Sequence, residues 1–167
     1  TDLFTAGIAA RPPTATNNYL GADADAWGIY AGIDGYTVGG SDTSDWCDNF
    51  TDDDILMFGL DLDNNKLYAG LNGNWCDGSG NFDESDIANA DGIDITAPAS
   101  LTSGAYFATA GYRDNTGTAT YLMNFGGCPA FSISSAQSDD NSLGTFEFNP
   151  PTGYLSICTK NLGSDGG

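Results

Sequence analysis

Histidine is absent from this chain of 167 residues. Nucleophilic catalysis by serine or cysteine usually needs a histidine that accepts the proton of the nucleophile, so that route is closed. Paired carboxylates could still hydrolyse glycosidic bonds, but acids are so numerous that some become neighbours by chance, and no assembled acid–base constellation is visible. The sequence therefore predicts a protein that is not an enzyme and has no catalytic residues.

Positive charge is scarce as well. The chain has 23 acidic residues and a formal net charge of −19, and its only basic residues are Arg11, Lys66, Arg113 and Lys160. This surface repels phosphate backbones and anionic lipids, so we expect no nucleic acid partner. A solvated, association-resistant surface is the ordinary explanation, with divalent-cation binding or a salty medium as alternatives. Any ligand is expected to be neutral, cationic or bridged by a cation.

Long apolar runs are missing from the sequence. The longest, Ile55–Leu60, is far too short to cross a bilayer, and the N-terminal residues show no signal-peptide pattern. No segment of about a dozen residues has convincing helical periodicity. We therefore expect no membrane insertion and very little helix.

Strand-like segments separated by turn residues make up most of the chain. All acidic residues except Glu84 and Glu147 are aspartate, which favours turns over helix interiors. Clusters of Gly, Asn, Asp and Pro separate the apolar segments, as in an antiparallel β-sandwich. A short helical turn is expected at Ser85–Ala90. The expected strands are Leu3–Ala9, Trp27–Ile33, Ile55–Leu62, Lys66–Leu71, Ala105–Tyr112, Thr118–Phe125, Phe146–Asn149 and Tyr154–Lys160.

The segment Asp61–Lys66 (DLDNNK) begins like a calcium-binding loop but is better explained as a tight turn. It lies between two strand-like segments, and Asn and Asp tolerate the positive φ angles of hairpin turns. A calcium loop would have glycine in place of Lys66 and glutamate in place of Asn72. We therefore predict a hairpin turn at Asp63–Asn65 that binds no metal.

The cysteines Cys47, Cys76, Cys128 and Cys158 show no CxxC spacing. A zinc site would need all four thiolates from scattered positions, whereas an even number without clustering fits two disulfides in an oxidising, extracellular setting. Four cysteines allow three pairings, and four free buried thiols are the alternative.

The predicted hairpin favours one of these pairings. A turn at Asp63–Asn65 would bring Asp54 near Trp75, with Cys76 just beyond it and Cys47 in the incoming loop. The pair Cys47–Cys76 is then geometrically reasonable, and Cys128–Cys158 is the pair that remains.

Several motifs, in order along the chain, resemble those of SPRY domains. The stretch DILMFGLDLDNNKLYAGLNGNW (Asp54–Trp75) resembles the central hairpin of that family, which typically reads LDLDNGKLYFSLNGVW. FNPPTGYLSICTKNL (Phe148–Leu162) is similar to the ending of SPRY-like modules in phage and viral structural proteins. Further matches are AGIAA (Ala6–Ala10), NYLG (Asn18–Gly21), AWGIY (Ala26–Tyr30), GAYFATAGY (Gly104–Tyr112) and YLMNFGGCPAF (Tyr121–Phe131).

The resemblance implies a SPRY/concanavalin-like β-sandwich that forms a single domain over residues 1–167. The family usually opens with an aromatic strand before the segment that corresponds to AGIAA, yet Thr1 begins almost directly at that segment. We therefore expect a module of a longer polypeptide. The sheet edge left by the missing strand would be filled by upstream sequence, a neighbouring protomer or a covering loop.

SPRY domains are mostly non-catalytic recognition modules, and similar modules occur in virions. The resemblance thus implies a recognition or adhesion module at a virion surface, in a fibre, spike or capsid-decoration protein. Its partners would be other subunits of the assembly, or a protein or glycan of the host surface. The alternatives are a purely architectural virion domain without a receptor and a calcium-dependent glycan-binding module.

Three long polar connections are candidates for binding a ligand: Gly35–Phe50, Cys76–Ala90 and Tyr112–Gly117. A rigid sandwich commonly presents recognition through such loops. Trp27 and Trp75 fall on family motif positions and are expected in the core. The candidate ligand-binding residues are Tyr36, Asp45, Trp46, Tyr112 and Arg113, chosen as aromatic or charged residues near predicted loops.

The acidic segment Cys76–Asp86 (CDGSGNFDESD) is the better calcium candidate. Alternating oxygen donors on a glycine-rich loop suit a hard cation. However, no glutamate closes the loop, and Phe82 stands where glycine is usual, so a plain Asx-turn loop is the alternative. Calcium is the only cofactor that the sequence suggests, and its candidate ligands are Asp77, Asn81, Asp83 and Asp86.

Overall fold

The computed structural model describes residues 3–11, 19–113 and 119–162. The chain divides into two compact units, Thr1–Ala119 and Thr120–Gly167. All strands of the described residues lie in the first unit, whereas the second is built from turns and one 3₁₀ helix, Thr159–Leu162. That all 167 residues form a single SPRY-like domain stays a prediction.

The first unit contains two antiparallel sheets. Its strands are β1 (Phe4–Ala9), β2 (Ala26–Tyr30), β3 (Gly35–Val38), β4 (Ser41–Thr43), β5 (Leu56–Asp61), β6 (Lys66–Leu71), β7 (Asn74–Cys76), β8 (Phe82–Glu84), β9 (Ile93–Asp94) and β10 (Phe107–Tyr112). The first sheet has the order β10-β1-β2-β3-β4, and the second has the order β5-β6-β7-β8, with β9 also paired to β6. The expected all-β, antiparallel architecture is confirmed.

Both sheets contribute to one hydrophobic core. Trp27 and Ile29 of β2 pack in the same cluster as Leu67 and Ala69 of β6. Ile29, Leu67 and Ala69 are completely buried, and such burial stabilises a protein by about 1.5–3 kcal/mol for each large aliphatic side chain. The indole Nε1 of Trp27 donates a hydrogen bond to the backbone carbonyl of Asp94, 3.0 Å away, which links β2 to β9.

The hairpin predicted at Asp63–Asn65 is confirmed, because β5 and β6 pair from Leu56–Leu71 to Asp61–Lys66. The carboxylate of Asp61 accepts hydrogen bonds from the backbone N–H groups of Asp63 and Asn64 and from the side-chain amide of Asn64. Asn65 has φ = +55°, a value that asparagine tolerates better than most residues. The oxygens that suggested a calcium ligand therefore hold the turn together.

The register argument that placed Asp54 near Trp75 is wrong. The chain reverses a second time at Asn72–Gly73, where both residues have positive φ, so that Trp75 of β7 pairs with Gly70. Asp54 instead accepts a hydrogen bond from the side-chain amide of Asn72 at 2.6 Å. The Asn-Gly dipeptide is a strong hairpin signal and could have revealed this turn.

The strand predictions for Phe146–Asn149 and Tyr154–Lys160 are wrong, and so is that for Thr118–Phe125 from residue 119 on, since Thr118 lies outside the described residues. In the described part of the second unit, the only strand-like pairing is an isolated bridge between Gln137 and Phe146. An apolar run satisfies the side-chain pattern of a strand, but a ladder also needs a neighbour for its backbone groups. A side chain can replace that neighbour, as when the carboxylate of Asp139 accepts from the backbone N–H of Ser156 at 2.8 Å.

The resemblance predicted an open sheet edge beside the first strand. In the structure this strand, β1, is paired with another strand on each side. Phe4–Ala9 pairs with β2 and with β10 over its whole length or nearly so. Among the described residues, the outer strands of the first sheet are β10 and β4. The expected helical turn at Ser85–Ala90 is confirmed as the 3₁₀ helix Ile87–Asn89, in which Asp86 caps the backbone N–H of Ala88.

Candidate functional site

Two of the predicted ligand-binding residues, Tyr36 and Trp46, lie in or against the core. Their rings pack edge to face with centroids 5.1 Å apart. Only 5% of Trp46 is exposed, so its predicted surface position is wrong. Its indole Nε1 donates to a carboxylate oxygen of Asp91 at 2.7 Å, which provides the polar partner that a buried tryptophan usually needs.

Asp45 and Tyr112 have different surroundings. Asp45 is exposed at a turn with φ = +56°. Tyr112 is half-buried, and its ring packs edge to face on Phe4 at 5.7 Å between centroids. Of the connection Tyr112–Gly117, residues 114–117 lie outside the described residues. The structure thus does not gather the five predicted ligand-binding residues into one site.

Arg113 is the centre of a cluster on the face of the first sheet that points away from the core. Its two terminal nitrogens donate to the two carboxylate oxygens of Asp42 at 3.1 and 3.0 Å. The guanidinium carbon lies 4.1 Å from the ring centroid of Tyr19 and 4.4 Å from that of Tyr30. A bidentate ion pair and two cation–π contacts therefore fix one side chain. Thr37 completes this group, named the Arg113 cluster: Tyr19, Tyr30, Thr37, Asp42 and Arg113.

The local sequence explains how the cluster forms. Gly39 and Gly40 have positive φ and make the tight turn between β3 and β4, which sets Thr37 opposite Asp42. The hydroxyl of Thr37 donates to Asp42 at 2.6 Å, and a terminal nitrogen of Arg113 donates to the hydroxyl of Tyr19 at 3.2 Å. Because Arg113 directly follows β10 and Asp42 lies in β4, the ion pair spans the face of the sheet between its two outer strands.

The charges in the cluster stabilise each other. Burial alone would raise the pKa of Asp42, but hydrogen bonds from Arg113 and Thr37 outweigh it and hold that pKa below its usual value. Burial would lower the pKa of Arg113, and the hydrogen bonds and charge of Asp42 reverse this effect. Burial raises the pKa of Tyr30, and the nearby Arg113 only partly opposes it. The ion pair of Asp42 and Arg113 is therefore fully ionised at neutral pH.

A cleft of about 100 Å³ adjoins the Arg113 cluster on the same face of the sheet. Its lining combines small apolar residues with a polar rim. Arg11 on the rim pairs with Asp23 at 3.9 Å and Asp25 at 3.4 Å. The lining residues are Ala9, Arg11, Tyr19, Leu20, Asp23, Ala26, Thr109, Ala110, Gly111 and Tyr112.

Sequence reasoning identified Arg113 and Tyr112 at this place but missed Tyr19, Asp23 and Asp42. The missing signal was the register of the first sheet, which no local pattern reveals. The Gly-Gly dipeptide at residues 39–40 could have predicted a β3–β4 turn and the position of Asp42 opposite Thr37. Tyr19 lies 94 residues before Arg113, so only the folded chain brings them together.

The thiols of Cys47 and Cys76 meet in the core of the first unit. Both residues are buried, and a hydrogen bond between the two thiols, together with burial, raises the pKa of Cys47 far above its ordinary value. The Sγ of Cys76 also donates to the carbonyl oxygen of Trp46 at 2.9 Å. All four cysteines are free thiols in this structure, so neither predicted disulfide is formed here, although the predicted neighbours Cys47 and Cys76 are adjacent.

The acidic loop after Cys76 has the geometry of an Asx turn. The carboxylate of Asp77 accepts from the backbone N–H groups of Ser79 and Asn81 and from the side-chain amide of Asn81. These hydrogen bonds lower the pKa of Asp77, that from the Asn81 side chain most. Across the described ranges, no three acidic or cysteine side chains are grouped as a metal site. Calcium at Asp77, Asn81, Asp83 and Asp86 stays a prediction.

The second unit is organised around Asp139, a residue that sequence reasoning did not single out. Asp139 is 4% exposed. One of its carboxylate oxygens accepts from the backbone N–H groups of Asn141 and Leu143. The other accepts from the backbone N–H and hydroxyl of Ser156 and from the side-chain amide of Asn161. Five donors on one carboxylate tie the loop after Asp139 to the segment around Ser156.

The remaining two cysteines, Cys128 and Cys158, lie in this second unit. Cys128 is exposed, and the Sγ of Cys158 lies 3.6 Å from the hydroxyl oxygen of Ser156. A Cβ atom at Gly126 would come within 2.7 Å of the Ser156 Cβ, which shows how closely the two segments approach. Cys128 lies two residues after Gly126, and Cys158 lies two residues after Ser156.

Comparison of the chain with known protein families and with curated proteins gives no match. Within the described part of the chain, no helix has the length and apolar content needed to cross a membrane.

Proposed function

We propose that this protein is a non-catalytic recognition or adhesion module of a larger extracellular assembly, and that it is SPRY-like. The ordered motifs between Ala6 and Leu162 support the family assignment. Their likeness to modules of phage and viral structural proteins supports a virion fibre, spike or capsid-decoration protein. The net charge of −19 supports a surface exposed to solvent and argues against nucleic acid as a partner.

The observation that carries the recognition function is the cleft beside the Arg113 cluster. Tyr19 is held in place by stacking on Arg113 and by a hydrogen bond to it, so its ring loses little freedom when a ligand binds. The adjoining floor is formed by small residues of three neighbouring strands, including Ala9, Ala26 and Gly111. A rigid aromatic side chain next to a shallow apolar floor and a polar rim is suited to binding and needs no catalytic group.

Binding measurements with a blocked cleft test this function. Gly111 has ordinary φ, and among the described residues a Cβ there would meet the Thr5 hydroxyl at 3.6 Å, an ordinary contact distance, so we expect Gly111→Leu to fill the cleft without strain. The matched control is Gly127→Leu, since a Cβ at Gly127 has no neighbour within 4 Å. The purified chain and both variants are screened against defined host-surface glycans and receptor ectodomains by biolayer interferometry.

We expect at least one ligand to bind the wild type and Gly127→Leu but not Gly111→Leu. Binding that persists unchanged in Gly111→Leu would place the site elsewhere, for example on the segments 35–50 and 76–90. The prediction that these two segments are loops is wrong in part, because they contain β3, β4, β8 and the 3₁₀ helix Ile87–Asn89. Failure of every host component to bind would remove the recognition function.

We also propose that the protein is disulfide-stapled in its native setting. The contact between the thiols of Cys47 and Cys76 supports the first bridge, because these buried side chains are already neighbours. The approach of Gly126 to Ser156 supports a bridge between Cys128 and Cys158. Such bridges persist outside the cell, in agreement with the proposed location.

A second candidate function is architectural, and the second unit supports it. Among its described residues, five large apolar side chains are well exposed, with Ile157 at 75%, and exposed apolar groups favour contacts between subunits. The other four are Leu122, Met123, Phe125 and Leu155. If no host component binds while the chain assembles with other virion subunits, this candidate replaces recognition.

A further inference from the structure

The chain contains one acceptor sequence for N-linked glycans, and the cleft does not use it. Asn49-Phe50-Thr51 is the only Asn-x-Ser/Thr triplet among the 167 residues, and its middle residue is not proline. Such triplets carry glycans on surface segments of secreted proteins. Whether this triplet can carry one depends on where the fold places its asparagine.

Asn49 lies at an accessible place in the first unit. It belongs to the segment 44–55 between β4 and β5, which contains no helix or strand. Phe50 is only 6% exposed and packs in the core cluster, whereas Asn49 and Thr51 on either side of it are exposed. Phe50 therefore anchors the segment, and the two residues that an enzyme must reach remain at the surface.

The side-chain amide of Asn49 is also available for reaction. Its backbone N–H donates to Asp48, but within the described part of the chain its side chain makes no hydrogen bond. Other asparagines use the amide nitrogen to close turns on nearby aspartates, as Asn64, Asn72 and Asn81 do at 2.6–3.0 Å. A glycan on Asn49 would therefore replace no described contact of the fold.

We infer that Asn49 is an N-glycosylation site, which takes an oligosaccharide when the chain is secreted. The donor is an oligosaccharide carried on a lipid pyrophosphate. The amide nitrogen of Asn49 forms a bond to the first sugar and loses one proton, while the bond between that sugar and the pyrophosphate breaks and the lipid pyrophosphate leaves. This inference rests on the proposed extracellular setting and does not depend on a ligand in the cleft.

Thr51 supplies the hydroxyl group that the acceptor sequence requires. In the folded chain its backbone N–H and its hydroxyl donate to Asp54, at 2.8 and 3.2 Å. Removal of the hydroxyl therefore also weakens this turn, so Thr51→Ala changes two properties at once. Thr51→Ser keeps a hydroxyl at this position and separates the two effects.

The experiment secretes the full chain from eukaryotic cells behind a signal peptide. The mass of the purified protein is measured before and after peptide N-glycosidase F, which removes N-linked glycans and leaves an aspartate that peptide mapping locates. The variants are Asn49→Gln, Thr51→Ala and Thr51→Ser. Asn89→Gln is the matched control, because Asn89 is also exposed but is followed by Ala and Asp.

We expect most of the secreted wild type to carry one N-linked glycan, attached to Asn49. The glycan should be lost in Asn49→Gln and Thr51→Ala and kept in Thr51→Ser and Asn89→Gln. Urea unfolding followed by tryptophan fluorescence checks that the variants fold. Asn49→Gln should unfold at the same urea concentration as the enzyme-treated wild type, because the side chain of Asn49 makes no described hydrogen bond.

Other outcomes separate this inference from the recognition function. A wild type that is secreted and folded but carries no glycan overturns the inference, and so does a glycan located at another asparagine instead. Neither result bears on recognition, which is tested by binding to Gly111→Leu. If Asn49 carries the glycan and no host component binds, the inference stands while the recognition function fails.

Discussion

At the residue scale, Arg113 connects parts of the first unit that are distant in the sequence. It contacts Tyr19, which precedes β2 in the chain, Tyr30 of β2 and Asp42 of β4. Its planar guanidinium matches the two oxygens of a carboxylate and stacks on aromatic rings at the same time. A lysine has the same charge but neither geometry.

The replacement Arg113→Lys should therefore destabilise the first unit although charge is conserved. We expect the free energy of unfolding to fall by about 1–2 kcal/mol, because one hydrogen bond of the bidentate pair and much of the stacking are lost. Urea unfolding followed by tryptophan fluorescence measures this. The matched control is Arg11→Lys, whose ion pairs are longer and more exposed and which should cost no more than about 0.5 kcal/mol. Equal losses in both variants would contradict a special role for Arg113.

Asp139 leads to a prediction about pH. Burial raises the pKa of this carboxyl, but the hydrogen bonds from Ser156, Leu143 and Asn161 outweigh that effect and hold the pKa well below its usual value. A carboxyl with a lowered pKa binds protons less readily in the folded state than in the unfolded state. Its contribution to stability is therefore complete above the unfolded value of about 3.9 and is lost as the pH falls through the folded value.

Hydrogen exchange of the Leu143 and Ser156 amides in wild type and Asp139→Asn tests this prediction. At neutral pH the variant should exchange much faster at both amides, because the carboxylate that accepts from them is gone. The difference should narrow as the pH is lowered below about 4. The control Asp52→Asn should match the wild type throughout. A difference that does not depend on pH would show that the charge of Asp139 is not what matters.

At the element scale, turn residues decide where the sheets fold back. The β5–β6 turn needs Asn65 at φ = +55°, and the β6–β7 turn needs Asn72 and Gly73 at positive φ. Left-handed backbone is accessible to glycine and tolerated by asparagine, and it costs other residues about 1–2 kcal/mol. Two successive reversals within ten residues therefore rest on a few asparagines and glycines.

A pair of substitutions at Asn65 isolates this backbone effect. Asn65→Val should lower the free energy of unfolding by about 1–2 kcal/mol, because a β-branched residue is strained at this φ. Asn65→Gly should lower it by much less or not at all, because glycine adopts the same angle freely. Chemical denaturation of the two variants beside wild type gives the comparison. Similar losses for Val and Gly would point to the side chain of Asn65 instead of its backbone.

At the scale of the whole molecule, the chain combines a large negative charge with four cysteines. Like charges repel one another across a compact protein and reduce its stability, more so at low salt. Cross-links that restrict the unfolded chain offset such a loss. The neighbours Cys47 and Cys76 are placed to make one in the core of the first unit.

Oxidation of the pure protein should therefore join Cys47 to Cys76. The bridge closes a loop of about 30 residues, for which the chain-entropy model gives about 3–4 kcal/mol of stabilisation. Peptide mapping without reductant identifies the pairs, and denaturation with and without reductant measures the gain. The control is Cys47→Ser, which cannot form this bridge. The stabilisation that reductant removes from the oxidised wild type through this bridge should be absent in that variant. Mapped pairs that join either cysteine to Cys128 or Cys158 would refute the assignment.

The sequence predicts those strands and turns that are determined by residues close to one another along the chain. Lys66–Leu71 has in the structure the bounds expected from its alternation and flanking turn, and the Asp63–Asn65 turn follows from residues that tolerate positive φ. The all-β architecture follows from an excess of strand-like segments and the lack of helical periodicity. In each case the physical cause acts between residues that are close in the sequence.

Tertiary structure alone decided the rest. Trp46 looks like a surface residue next to acidic neighbours, yet its ring packs in the core against Tyr36, and Asp91, 45 residues later, accepts its indole hydrogen bond. The Arg113 cluster brings together Tyr30 of β2, Asp42 of β4 and Arg113 at the end of β10, which are distant in the sequence but belong to one sheet. Long-range pairing of this kind depends on which strands find each other in the folded chain, and no local pattern contains that choice.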